Sequence, residues 1–324
     1  MRRAFWLAAF AVLVCVVLPL VFLPERSQTP APEGTTTPEQ PSNTAQIVPG
    51  TDQSLSIRVL HQGVVEEMNL EDYLLGVLLG EMPTSFPSEA LKAQAVVCRT
   101  YTLRRMGSGR HGDGDICTDS ACCQAWKDSD TCPEEARQLA LAAIRATDGL
   151  VLTYDGALID ATFFSSSGGR TESAVAVWGT DIPYLQAVDS PGEQSPYNED
   201  WVTFAPDSFR RILETHAPEA EFTGNPSQWF GEVRYSPGGG VDSMTIGGVV
   251  FSGSTLRKLL GLRSTRFTVT ATTEEIRIST QGFGHRVGMS QYGAQAMAQS
   301  GKGYEEILKY YYTGVELVNY GQNN

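Results

Sequence analysis

The sequence is short of basic residues. Its 324 residues include 24 Lys and Arg against 37 Asp and Glu, which gives a formal net charge of −13 at pH 7. Arg2 and Arg3 precede an apolar run, and without them the remainder has 22 basic and 37 acidic residues, or −15. Because phosphate contacts are made by Lys and Arg, this balance argues against nucleic acid as a partner. It places no such limit on a neutral glycan.

Several sequence patterns of hydrolases are also missing. The chain has no Gly-x-Ser-x-Gly elbow, which leaves a serine hydrolase little support, and no His-Glu-x-x-His pair for a catalytic zinc ion. No internal repeat is apparent. Strand and helix patterns are mixed rather than alternating, so a doubly wound parallel sheet is not expected. The predicted fold class is α+β, in one large domain or two ordinary ones.

The amino-terminal segment is the longest apolar run in the chain. Ala4–Leu23 contains twenty apolar residues with a single proline, Pro19. At about 1.5 Å per residue, a helix of this length spans roughly 30 Å, the hydrocarbon thickness of a bilayer. A cleaved signal peptide is the alternative, but its apolar region is usually about 7–15 residues long and no clear Ala-x-Ala site follows. We predict a single-pass cell-membrane anchor at residues 1–24, with Arg2 and Arg3 in the cytoplasm and the ectodomain outside it.

A change of composition follows this run. Residues 25–54 are rich in Pro, Thr, Ser, Glu and Gln, with few large apolar side chains before Ile47. Such a segment cannot bury enough apolar surface to fold, so it is predicted to be a disordered tether. The folded ectodomain is predicted over residues 55–324. It is expected to have two lobes with a substrate cleft, and residues 196–266 are the candidate second lobe.

Glu81 lies at the centre of the most informative stretch, which runs from residue 69 to residue 101. Leu70, Tyr73, Leu74, Val77 and Leu78 recur at three- and four-residue spacing and predict a short amphipathic helix, capped by Asn69 and stopped by Gly80 and Pro83. Glu81 is then placed at the carboxyl end of an apolar helix. Both the helix dipole and an apolar setting disfavour its charged form there. A raised pKa is what a general acid near neutral pH requires.

A second helix is predicted to start at Ser88 and to run to Tyr101. Its small residues allow close approach of another helix. Arg99 and Tyr101 stand near its end, so we expect both side chains to face the same cleft as Glu81.

The segment His111–Trp126 contains four potential metal ligands. His111, Cys117 and Cys123 follow a His-x5-Cys-x5-Cys spacing, with Cys122 adjacent. Thiolate and imidazole together suit Zn²⁺. Cysteines outside the cytoplasm also tend to form disulfides, and five of the six cysteines lie beyond the apolar run, which would leave one unpaired. The spacing alone favours neither possibility.

Three stretches in order resemble the stage II sporulation protein D family. They are Gly80-Glu81-Met82-Pro83 with Glu89–Ala95 and Arg99-Thr100-Tyr101; the loop Ser165–Gly169; and Gly284-His285-x-x-Gly288-Met289-Ser290-Gln291-Tyr292-Gly293-Ala294. The resemblance covers nearly all of residues 55–318 and is weak over about 196–250. Members of the family are membrane-anchored lytic transglycosylases that act on peptidoglycan during spore engulfment, and they are related to amidase-enhancer proteins.

The resemblance implies further site residues. It favours a zinc ion with a structural rather than a catalytic role. The implied ligands are His111, Cys117 and Cys123, with a water or another side chain as the fourth. Cys122 could compete for the place of Cys123. It implies that the glycan is contacted by several polar and aromatic side chains: Ser165, Ser166, Tyr184, Glu193, His285, Ser290 and Gln291. The sporulation amidase (stage II sporulation protein P) and the membrane protein stage II sporulation protein M are the implied partners.

The implied reaction needs one carboxylate. Glu81 would protonate the oxygen between N-acetylmuramic acid and N-acetylglucosamine, and the muramyl C6 hydroxyl would then close onto C1 to give a 1,6-anhydro product. Two-carboxylate glycosidases need a second acid instead. Two alternatives remain open from the sequence: a non-catalytic glycan-binding module that stimulates an amidase, and a zinc-dependent hydrolase.

Overall fold

Nine helices and fourteen strands form the part of the chain that the computed structural model describes, which is residues 50–320. The helices are α1 (Thr51–Ser54), α2 (Leu70–Glu81), α3 (Ser88–Arg105), α4 (Glu134–Ala146), α5 (Ala174–Trp178), α6 (Pro206–His216), α7 (Gly253–Leu259), α8 (Gln291–Gln299) and α9 (Tyr304–Tyr311). The strands are β1 (Ser56–His61), β2 (Val64–Asn69), β3 (Ile116–Cys117), β4 (Leu150–Tyr154), β5 (Ala157–Leu158), β6 (Phe163–Phe164), β7 (Asp200–Phe204), β8 (Phe230–Tyr235), β9 (Val241–Ile246), β10 (Val249–Ser252), β11 (Phe267–Ala271), β12 (Ile276–Thr280), β13 (Met289–Ser290) and β14 (Glu316–Asn319).

The strands form five small sheets rather than one large one. Their orders are β2-β1-β3, β10-β9-β8, β11-β12-β7, β13-β6 and β14-β4-β5. Two pairs, β1 with β3 and β6 with β13, are parallel. The β6–β13 pair joins the loop Ser165–Gly169, which we call the serine-glycine loop, to the segment Gly284–Ala294, which we call the closing signature. More than a hundred residues separate the two strands. The mixed α+β class is confirmed.

Two tight turns follow directly from their residues. Gln62 and Gly63 connect β1 to β2, and Asp155 and Gly156 connect β4 to β5, all with positive φ. Two-residue hairpin loops with both central residues at positive φ suit the twist of the flanking strands, which explains the Asp-Gly pair. The positions of both turns thus follow from the residues that form them.

Helix α3 lies at the centre of the larger core. It packs against α2, α4, α8, α9 and strand β4. Small side chains allow this, because Ala90, Ala93 and Ala95 are all at most 1% exposed and keep the neighbouring backbones close. The core thus fixes the end of α2, where Glu81 lies, relative to the closing signature at the start of α8.

A second hydrophobic cluster takes its members from residues 202–278. It overlaps the candidate second lobe but extends beyond its predicted end at residue 266, because β11 and β12 contribute Phe267, Ile276 and Ile278. The described residues, 50–320, belong to a single compact unit. The two-lobed arrangement stays a prediction.

The folded region begins before the predicted boundary at residue 55. Thr51–Ser54 form α1, and Asp52 in this helix is 1% exposed. The tether prediction is therefore wrong for residues 51–54, because a buried ion partner holds them. The predicted anchor at residues 1–24 and the tether up to residue 49 lie outside the described residues. Within residues 50–320, no helix has the length and apolar character that a membrane crossing needs.

Candidate active site

Glu81 is the last residue of α2. Asn69 caps the start of this helix, where its side-chain oxygen accepts a hydrogen bond from the Asp72 backbone N–H at 2.9 Å. At the other end the Met82 N–H donates to the Leu78 carbonyl, and Pro83 cannot continue the helix. The helix and its end are as predicted, so the Glu81 side chain is delivered from a rigid, buried element.

Two glycines on α2 allow a neighbouring loop to lie against the helix. A Cβ at Gly80 would come within 2.8 Å of the Ala125 carbonyl group, and one at Gly76 within 2.1 Å of the Trp126 indole nitrogen. The close approach brings the Ala125 backbone N–H to 2.6 Å from Glu81 Oε1, to which it donates. The glycines thus explain how the loop after the cysteines reaches the carboxylate.

Glu81 borders two cavities. The first, which we call the His285 cavity, has a volume of about 510 Å³ and is also lined by Tyr101, Cys123 and His285. The second, the Tyr292 cavity, has about 390 Å³ and is also lined by Pro83 and Tyr292. Ser165 and Gln291 line both. Within the part of the chain that the structure describes, Glu81 is the one carboxylate on either cavity wall.

The surroundings of Glu81 favour its neutral form. Burial raises the pKa of Glu81 above its ordinary value, and hydrogen bonds from Ala125 and Gln291 oppose this only in part. The direction agrees with the prediction, but the dominant cause is burial. Gln291 Nε2 donates to the Glu81 backbone carbonyl at 3.0 Å, so this amide also fixes the end of α2.

An arginine that the sequence analysis did not single out shares the wall with Tyr101. Tyr101 is 7% exposed, and burial raises its pKa to about 12. The Arg105 guanidinium lies 3.5 Å from the centre of the Tyr101 ring and forms a 3.2 Å ion pair with Asp160. Arg105 is four residues after Tyr101 on α3, so the helical period places both on one face. The four-residue spacing from Tyr101 is therefore the sequence feature from which the position of Arg105 could be predicted.

His285 lines its cavity in an uncharged state. Burial first, and then the nearby Arg257 charge, lower the pKa of His285 to about 4. Its Nδ1 accepts a hydrogen bond from the Val287 N–H at 3.1 Å, which leaves the proton of the neutral ring on Nε2. The imidazole also contacts the rings of Phe164 and Trp178, at 5.7 and 5.5 Å between centroids. It is therefore positioned by packing as well as by hydrogen bonding.

The four residues of the cysteine-rich segment come together. One ligand atom from each of His111, Cys117, Cys122 and Cys123 lies within 4.8 Å of the others, and His111 Nε2 is 3.1 Å from Cys123 Sγ. The described cysteines are all free thiols, so this segment holds no disulfide. Burial and the neighbouring thiols raise the pKa of Cys117 to about 12. Cys122 thus lies in the same group as the three predicted ligands.

Glu193 organises a separate network outside both cavities. Its carboxylate accepts hydrogen bonds from four hydroxyl groups and two backbone N–H groups at 2.7–3.3 Å: the side chains of Ser166, Ser167, Ser190 and Ser290, and the backbone of Ser167 and Gly168. This network ties the serine-glycine loop to the closing signature. Because its lone pairs are taken up, Glu193 serves as a structural anchor and is poorly suited to be a second catalytic carboxylate.

Three of the predicted glycan contacts are buried in the fold, and a fourth lies away from both cavities. Arg99 is 0% exposed and its guanidinium binds Asp52, so the prediction that it faces the cleft is wrong. Ser166 and Ser290 are also 0% exposed and bind Glu193, which corrects their assignment as substrate contacts. Tyr184 does not line either cavity; its hydroxyl accepts a hydrogen bond from the Asp160 N–H at 3.0 Å.

The predicted residues that do meet are Glu81, Tyr101, Ser165, His285 and Gln291, together with Cys123 of the thiol group. They come from α2, α3, the loop after β6 and the closing signature. The arrangement defines an α+β protein with a single-carboxylate candidate acid-base site beside a histidine-cysteine cluster.

Comparison with known proteins agrees with this description. The family model of the stage II sporulation protein (SpoIID) matches residues 60–154. Stage II sporulation protein D of Bacillus amyloliquefaciens is 34% identical over 331 residues, which cover 97% of this chain and 94% of that protein. The Bacillus subtilis (strain 168) protein of the same name is 38% identical over 264 residues, covering 78% and 75%. The chain therefore belongs to the stage II sporulation protein D family. It is also similar to the amidase enhancer of Bacillus subtilis (strain 168), at 30% identity over 76% of this chain and 40% of that protein.

Proposed function

We propose that the chain is a lytic transglycosylase that cleaves the β-1,4 bond between N-acetylmuramic acid and N-acetylglucosamine in peptide-stripped peptidoglycan, during engulfment in sporulation. The observation that supports this is a lone, partly buried carboxylate. Glu81 has a raised pKa and borders two cavities that offer no second carboxylate from residues 50–320. A two-carboxylate glycosidase requires a partner at about 5–9.5 Å, whereas a transglycosylase does not.

In this mechanism Glu81 acts first as an acid and then as a base. Its proton passes to the glycosidic oxygen as the bond from that oxygen to muramyl C1 breaks, and the N-acetylglucosamine leaves with a free 4-hydroxyl. The Glu81 carboxylate then accepts the proton of the muramyl C6 hydroxyl while O6 bonds to C1. The product is a 1,6-anhydro sugar, Glu81 is reprotonated, and no water is consumed.

The neighbours of Glu81 support the acid step. The Ala125 N–H donates to Oε1, so it stabilises the carboxylate that forms when the proton leaves. His285 adds an uncharged imidazole to the wall, because its pKa of about 4 keeps it neutral at physiological pH. It therefore neither competes with Glu81 as an acid nor stabilises its charge.

The histidine-cysteine cluster fits a zinc ion. With a Zn–S distance of about 2.3 Å, tetrahedral ligand atoms lie roughly 3.8 Å apart, and the four ligand atoms here lie within 4.8 Å of one another. His111, Cys117, Cys122 and Cys123 would complete the coordination with protein ligands, which is typical of structural zinc. Zinc would then fix the loop whose Ala125 N–H binds Glu81. A catalytic role is disfavoured because no position is left open for water.

The test is mass spectrometry of peptide-stripped glycan strands incubated with the full-length chain. Wild type should release anhydro-muramyl ends, and Glu81→Gln should lower the rate by about 10²–10⁴-fold, the usual contribution of acid-base catalysis. Glu66→Gln, an exposed glutamate on β2, is the matched control and should behave as wild type. Normal anhydro release from Glu81→Gln would refute the assignment. Reducing ends labelled by ¹⁸O-water would indicate hydrolysis instead.

One alternative has a specific observation in its favour. The similarity to an amidase enhancer suggests a glycan-binding protein that stimulates a separate amidase. Tight binding of glycan strands without any product from wild type would support it. For either function we propose a cell-membrane location through residues 1–24, and the sporulation amidase and stage II sporulation protein M as partners.

A further inference from the structure

A third depression, which we call the Trp201 groove, lies where β7, β11 and β12 form one sheet. It has a volume of about 440 Å³ and is lined by Trp201, Tyr235, Arg266 and Arg277 among others. Trp201 and Tyr235 are 55% and 61% exposed, although both are large aromatic side chains. Exposed aromatic side chains around one groove are typical of a binding surface.

The groove contains unpaired positive charges, although the chain as a whole is negatively charged. Neither Arg266 nor Arg277 forms an ion pair with any residue in the described range 50–320. Arg277 instead lies 4.5 Å from the centre of the Trp201 ring. Two carboxylates are also on the wall, but Asp200 is paired with Arg263, which leaves exposed Glu199 at one end. The groove thus offers two guanidinium groups beside aromatic rings in a protein of net charge −13.

One segment connects the groove to the candidate active site. Tyr197 lines the Tyr292 cavity together with Glu81. Asn198 and Glu199 line a smaller depression of about 260 Å³, and Glu199 continues with Trp201 into the groove. Five extended residues span at most roughly 17 Å. The depressions therefore follow one another along a short stretch of wall.

We propose that the Trp201 groove is an accessory subsite for the same glycan strand, several sugars away from the bond at Glu81. The C–H faces of the sugar rings would stack on Trp201 and Tyr235. The guanidinium groups of Arg266 and Arg277 would pair with the lactyl carboxylates of muramic acid. Those carboxylates are free only where the stem peptide has been removed, because otherwise they form an amide bond. The groove would thus select peptide-stripped strands, and this inference rests on the proposed function.

Binding is measured in the Glu81→Gln background of the full-length chain, so that no turnover interferes. Three probes are titrated: long peptide-stripped strands, a peptide-stripped tetrasaccharide, and chitin oligosaccharides, which lack lactyl carboxylates. The variants are Trp201→Ala, Trp201→Phe and the pair Arg266→Gln with Arg277→Gln. Tyr310→Ala is the matched control, because Tyr310 is an exposed aromatic residue outside the groove. Thermal unfolding of each variant is measured to check that it is folded.

Trp201→Ala should weaken binding of long strands by about tenfold and affect the tetrasaccharide less, while Trp201→Phe retains most of the affinity. The double arginine variant should bind peptide-stripped strands about tenfold more weakly than the parent protein does. Its affinity for chitin oligosaccharides should change little. Unchanged long-strand affinity in both Trp201→Ala and the arginine pair would overturn the inference. Equal weakening by Tyr310→Ala would do the same. The result is independent of catalysis, so a wild type that releases no anhydro sugar would refute the proposed reaction and leave the groove assigned.

Discussion

Replacing Arg99 by Met should destabilise the fold rather than remove a glycan contact. The guanidinium and the Asp52 carboxylate are 0% and 1% exposed, and they are 2.5 Å apart at their closest atoms. Arg99 also donates to the carbonyls of Ile144 and Leu150 at 3.2 and 3.1 Å. Removing one member of a buried pair leaves an uncompensated charge and unpaired carbonyls, which typically costs about 3–5 kcal/mol.

The loss should depend on pH in a defined direction. Burial raises the pKa of Asp52 above its ordinary value, nearby Asp148 adds to this, and Arg99 opposes it. Without Arg99 the pKa of Asp52 rises further in the folded state. A carboxyl group with a raised folded-state pKa favours folding below that pKa, and this contribution is lost as pH rises through it. The deficit of Arg99→Met should therefore be larger at neutral than at mildly acidic pH.

The stability deficit of Arg99→Met is measured by urea unfolding, followed by tryptophan fluorescence, at neutral and at mildly acidic pH. Asp52→Asn combined with Arg99→Met should remove the extra pH dependence, because the buried carboxylate at position 52 is then gone. Arg104→Met on the same helix is the control, since Arg104 is exposed. A change within about 0.5 kcal/mol for Arg99→Met, as for an ordinary surface substitution, would refute the reasoning. So would loss of glycan affinity at unchanged stability.

Three further changes test other parts of the site. Glu193→Ala removes the acceptor of six hydrogen bonds and should cost about 3–5 kcal/mol; an unaltered thermal unfolding midpoint would contradict a structural role. Cys122→Ser should lower both the bound zinc found by metal analysis and the unfolding temperature, whereas Cys132→Ser, outside the cluster, should change neither. Equal zinc content in the two serine variants would exclude Cys122 as a ligand. Gly80→Ala should reduce anhydro-sugar release at least tenfold, because its Cβ would meet the Ala125 carbonyl group at 2.8 Å and push that loop from Glu81; full activity would refute the link.

The local elements could be predicted from the sequence because their signals are local. The helix that ends at Glu81, the two hairpin turns and α4 all follow from periodicity, caps and turn residues. Helix α8 was not predicted. Its sequence is rich in Ala, Gln and Gly, so it has little apolar periodicity, and the family resemblance implies a substrate contact for its cap, Ser290.

The partners of buried polar residues could not be predicted, because they are distant in the sequence. Arg99 is 47 residues from Asp52, and the composition around Asp52 predicts a disordered tether. Ser290 is 97 residues from Glu193. A polar residue within a conspicuous motif was expected to contact substrate, yet these two stabilise the fold. The pattern shows which residues matter but not whether their partner is protein or ligand.

Glu81, the proposed acid, shows why the setting of a site residue depends on the whole fold. The Glu81 carboxylate accepts a hydrogen bond from Ala125, which is 44 residues away, and its backbone carbonyl accepts one from Gln291, 210 residues away. The first contact depends on the loop that carries the histidine-cysteine cluster, and the second on the start of α8. A single carboxylate can act as acid and then as base only if its position is fixed through both steps. Two unrelated segments that converge on Glu81 supply that rigidity, so damage to either segment should reduce the rate of the proposed reaction even where Glu81 is intact.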